Sequence, residues 1–82
     1  MIRLVEVVKQ LEQYVLREVF INPTHVVSLR EDGPMKNLLS EGQLPEGLNE
    51  HQSFTRLVLD KGTVGLELIV VGPPALIESK LK

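Results

Sequence analysis

The chain has 82 residues, of which 43% are hydrophobic, with nine lysines or arginines against eleven acidic residues, a formal charge of −2 and no cysteine. A chain this short makes one domain that buries only about 60% of its unfolded surface, and neither a disulfide framework nor a thiolate metal site staples it. It has no basic run of the kind that gives indiscriminate nucleic-acid binding, and no apolar stretch near the ~20 residues of a membrane span.

The opening stretch, MIRLVEVVKQ, is interrupted by Glu6 and Lys9 and lacks a small-residue cleavage site. It does not read as a signal peptide, and a cytoplasmic protein is expected. Ile2 to Lys9 is short and β-branched, which predicts a strand. Ile2, Leu4 and Val8 share one parity and Val5 and Val7 the other, so either both faces are covered or a bulge switches them. Gln10 to Gln13 carries no strong turn residue. Tyr14 to Ile21 predicts a second strand, apolar on both parities apart from Arg17 and Glu18. Asn22-Pro23-Thr24 stops it, because Pro23 lacks the N–H a central strand needs. His25 to Arg30 predicts a third strand, with His25, Val27 and Leu29 on one side.

Residues 31–53 differ in kind. Gly33-Pro34, Gly42, Pro45 and Gly47 break any ladder, so this is a long excursion. Met35 to Leu39 suits one helical turn, and Leu39, Leu44 and Leu48 are placed to anchor the loop to the body. Excursions of this length in compact domains are either functional or disordered, and the apolar residues favour an ordered flap.

Phe54 to Gly72 is the most legible segment, two strands and a tight connection. Val64, Leu66, Leu68 and Val70 alternate with Gly65 and Glu67, the period of a strand with one buried face. Asp60-Lys61-Gly62 suits a type I turn finished by Gly62 in the left-handed region. Pro73-Pro74 ends the ladder and pre-sets φ for a terminal helix over 74–82. Its apolar stripe is Ile77 and Leu81 with Leu76 beside it, too short to be stable unless it docks.

Five short strands, several apolar on both sides, predict a mainly β fold. The expected form is a small five-stranded antiparallel barrel of SH3- or Sm-like type, with an ordered loop and a C-terminal helix. An open meander with the helix laid across one face is the alternative. So much aliphatic surface on a small sheet with unpaired edges predicts a homo-oligomer.

The polar residues spell out no reaction. His25 and His51 have no metal-ligand spacing, and no nucleophile elbow or phosphate-cradling glycine loop is present. No enzyme activity, metal or small-molecule cofactor is expected. Arg17, Arg30 and Arg56 sit among apolar neighbours on three different strands. If those strands curl together, the three guanidinium groups converge on one polyanion-facing patch, a candidate nucleic-acid site. Otherwise each pairs with an acid such as Glu18, Glu31 or Glu67.

Two resemblances follow from these segments. GLELIVVGPPALI resembles the second conserved segment of Sm and LSm proteins, in which a strand ends in an Ile-Arg-Gly triplet; the corresponding residues here are Val70-Val71-Gly72. That resemblance implies a ring-forming scaffold, with RNA as a possible ligand. REVFINPTHVVSL followed by FTRLVLDKGTVGLELIVVGPPALIESKL is similar to the order of elements in small flagellar FlbD-type proteins, relative to which residues 31–53 are an insertion; this implies a part in motility. The expected function is a non-enzymatic oligomeric binding or assembly module, with RNA as a possible ligand. The alternative is a structural or protein-interaction component with no nucleic-acid role.

Overall fold

The computed structural model describes residues 1–44, 47–48, 51–61 and 64–82, without the side chains of 61, 64 and 65. Five strands form one antiparallel sheet: β1 (Ile2–Gln10), β2 (Gln13–Ile21), β3 (Val26–Glu31), β4 (Phe54–Lys61) and β5 (Val64–Val71), in the order β2-β1-β5-β4-β3. Two helices complete the fold, α1 (Gly33–Ser40) and α2 (Pro74–Leu81).

β1 and β2 pair without a break from Ile2↔Ile21 to Gln10↔Gln13. The mixed parity of β1 therefore reflects two covered faces and no bulge. Leu4, Val19, Leu57, Val70 and Leu68 project to the face that carries α2, where Leu4, Ile21, Leu57, Val70 and Ile77 form one core cluster. Val7, Leu16, Phe54, Ile69 and Val71 project to the other face and pack with Met35 and Leu44 in a second cluster. The expected leucine anchors hold: Leu44 is a buried member of this second cluster, and Leu39 and Leu48 pack against it, joined by Leu38.

The 31–53 excursion contains more helix than one turn. Asp32 caps α1, its Oδ2 accepting the Met35 N–H at 3.0 Å. At the other end the Gly42 N–H donates to Leu39 O and the Gln43 N–H to Leu38 O, both at 3.0 Å, with Gly42 at φ +76°. This is the Schellman closure, which needs a left-handed residue after the last turn and so favours glycine.

α2 starts after Gly72, whose N–H donates to Ser53 O at 2.9 Å and whose carbonyl accepts from Thr55 Oγ1 at 2.8 Å. Ile77 is fully buried, Leu81 packs beside it, and Leu76 faces out with 47% of its surface exposed.

Three expectations need correction. The third strand begins at Val26, because Pro23–His25 forms a 3-10 turn in which Asn22 accepts the Thr24 N–H. A register shift between Val26 and Ser28 then turns Val27 outward and sends Val26 to the same cluster as Leu29. Asp60 and Lys61 are strand residues paired with Gly65 and Val64, and the Gly62 turn lies outside the described residues.

The third correction concerns the barrel. The sheet is open: β2 and β3 are its edges, and no ladder joins them among the described residues. It is nonetheless strongly curled. Edge strands of a flat five-stranded sheet lie about 19 Å apart, yet only Asn22–His25 link β2 to β3, much of that length taken up by the tight 3-10 turn. The edges therefore approach each other at this end, where Ile21 and Leu57 belong to one core cluster and Val26 packs against it. Closure stops there, because Pro23 and the bulge occupy the positions where ladder bonds would start.

Candidate functional site

The curl leaves a cleft of about 690 Å³ on the α2 face, between β2 and the far end of the β4–β5 hairpin. A volume of this size lies within the ~300–1,000 Å³ range of small-ligand sites. Val19 and Ile21 of β2 form one apolar wall, and Leu59, Leu66 and Leu68 the other. The wall exists because α2 shields only the Val70 end of β5. Burial falls from complete at Val70 to partial at Leu68 and to exposed at Leu66.

Glu6, Arg17, His25, Asp60 and Glu67 are among the residues that line the cleft. The register turns the side chains of Asp60 and Glu67 to the opposite face with Arg56, which leaves Glu6 and Arg17 as the charged pair on the cleft face. Glu6 stands opposite both Arg17 on β2 and Val70 on β5. Its side chain is only 11% exposed, whereas that of Arg17 is 59% exposed, and Arg17 Nε lies 3.5 Å from Glu6 Oε1. The charge that lies deep in this cleft is thus a carboxylate, and its cation reaches it from the solvent side.

The three arginines singled out from the sequence do not converge. Arg17 lies on the α2 face with Glu6, whereas Arg30 and Arg56 stand opposite each other on β3 and β4, on the α1 face. Arg56 is held by acids: Nε and Nη2 reach Asp32 Oδ1 at 3.1 and 2.9 Å, and Nη1 reaches Glu67 Oε2 at 3.5 Å. Glu18, expected as a cross-strand partner for one of the three, pairs with Arg3 of β1 at 3.2 Å. Among the described residues, Glu67 is the one expected acid that meets one of the three arginines. Pairing with acids describes Arg17 and Arg56, through Glu6 and Asp32, two residues the sequence reading did not single out. Glu6 carried a usable signal, because it shares the parity of Ile2, Leu4 and Val8 in a strand with that face buried. Asp32 carried another, standing three residues before Met35 at a Gly-Pro helix start.

Among the described residues, no group of three or more His, Cys, Asp or Glu side chains is placed to hold a metal ion. No helix in the described residues is long and apolar enough to cross a membrane. Phe20 and Val27, on the two edge strands, expose 60% and 65% of their surface. No family model, curated protein or solved structure matches the chain.

Proposed function

We propose that the chain is a non-enzymatic assembly module whose copies join edge to edge through β2. The observation that carries this reading is the contrast between the two edges. β3 is six residues long and bulged at Val27, and a bulge is one of the devices that blunt an edge against further pairing. β2 is nine residues long, regularly paired with β1 throughout, free of proline, and bears the exposed Phe20. A long regular edge with an apolar side chain is a template for strand addition. Antiparallel pairing of β2 with the β2 of a second copy is isologous, so both copies use the same surface and the assembly closes.

This reading is preferred to single-stranded RNA binding, in an Sm-like ring or otherwise, because the arginines that RNA would need are divided between two faces. Two of them already lie against carboxylates, and the chain is net acidic. The solution mass tests it, with a variant that makes β2 repel itself: Glu18→Lys with Phe20→Lys adds two cations beside Arg17, and like charges opposed across a strand pair are destabilising. A dimer that the double variant converts to a monomer is the expected result.

A further inference from the structure

We infer that the cleft between β2 and the β4–β5 hairpin is a binding site for a small amphipathic amine, an alkyl or aryl chain ending in an ammonium group. The inference goes beyond the assembly reading and does not depend on it.

Two features determine the ligand's chemistry. The walls, Val19, Ile21, Leu59, Leu66 and Leu68, offer aliphatic surface on both sides of a space large enough for a chain or ring. The one nearly buried charge among the lining side chains is the Glu6 carboxylate. A buried carboxylate is stable only when paired, and it can accept about four hydrogen bonds. Its partner is Arg17, whose Nε lies 3.5 Å away, too long for a strong charge-assisted bond. Glu6 thus has acceptor capacity facing the cleft, and Arg17, mostly in solvent, can move aside without leaving a buried cation unpaired. Asp60 and Glu67 line the cleft from strand positions whose side chains belong to the opposite face, where Glu67 meets Arg56, so Glu6 is the carboxylate that faces the cleft. An ammonium group on an apolar body therefore complements both the walls and the sign of the inner charge, whereas a fatty carboxylate would place like charges together.

The test is a titration of the isotopically labelled protein with octylamine, octanoate and octanol, each below its micelle concentration, followed by amide chemical shifts. Octylamine is expected to give saturable shifts concentrated at Val19, Leu59, Leu66 and Leu68, with octanoate and octanol at least about tenfold weaker. Glu6→Gln is expected to weaken octylamine about tenfold or more. Leu66→Lys, at an exposed position, is expected to abolish its binding by placing an ammonium at the mouth, and decides the matter if Glu6→Gln does not fold. Equal or tighter binding of octanoate, shifts on the α1 face, or octylamine affinity unchanged in either folded variant would overturn the inference.

Discussion

Asp32 and Arg56 join helix to sheet through one carboxylate. Oδ2 of Asp32 caps α1 at the Met35 N–H, while Oδ1 receives Nε and Nη2 of Arg56 from the middle of β4. Asp32 is 4% exposed, and its own N–H donates to Phe54 O at 2.9 Å. The start of the helical excursion is thus fixed to β4 by backbone and side chain together, and this pins Met35 over Phe54.

Removing either partner should leave an uncompensated charge or an open helix end. Asp32→Ala and Arg56→Ala are each expected to destabilise the fold by about 2–4 kcal/mol, the Asp32 change including about 1 kcal/mol for the lost cap. Urea denaturation of the two single variants and the double variant checks this. The double variant should cost less than the sum, because the two changes remove one interaction.

Gly72 has φ +125°, and a Cβ there would lie 3.2 Å from Ile77 Cδ1. Both its N–H and its carbonyl are already hydrogen-bonded to the segment around Thr55, so the backbone has little room to adjust. Gly72→Ala is expected to cost about 1–3 kcal/mol, read as a lower urea midpoint at unchanged slope.

The docking of α2 can be tested by two adjacent leucine-family positions. Ile77 is fully buried and Leu76 is 47% exposed. Ile77→Ala should cost about 2–5 kcal/mol, whereas Leu76→Ala should change stability by under about 1 kcal/mol. Thermal unfolding of both variants separates a docked helix from one that merely follows the last strand.

The β1–β2 hairpin carries a local mismatch. Leu11, fully in solvent, has φ +56° and is the only non-glycine residue in the described chain with positive φ. A positive φ at the first of two central residues is the pattern that favours glycine. Relief of left-handed strain of about 1–2 kcal/mol, less the higher unfolded-state entropy of glycine, predicts that Leu11→Gly stabilises the protein by up to about 1 kcal/mol in the same urea experiment.

These positions also mark where the sequence was readable. The five strands and α2 follow from β-branched runs, period-two alternation and the Pro73-Pro74 stop, signals that are local to the residues concerned. Turn chemistry was the weaker guide: Leu11 and Glu12 make a two-residue hairpin connection without a turn residue, because the continuous register on either side imposes it. α1 extended beyond Met35–Leu39 because the caps at Asp32 and Gly42 lie outside its apolar residues. The curl was only half legible. Apolar residues on both strand faces correctly called for two covered faces, but an open sheet with α1 on one side and α2 on the other provides that cover as well as a closed barrel does. The Glu6–Arg17 rung and the Asp32–Arg56 pair depend on strand order and register, which no single segment encodes.

The assembly reading rests on β2 being a pairing edge, and solution mass tests it most directly. Multi-angle light scattering across a concentration series should give twice the 9.2 kDa chain mass, falling to a single chain for Glu18→Lys with Phe20→Lys at unchanged secondary structure. A single-chain mass for the unaltered protein at every concentration, or a dimer that survives both lysines, would contradict it.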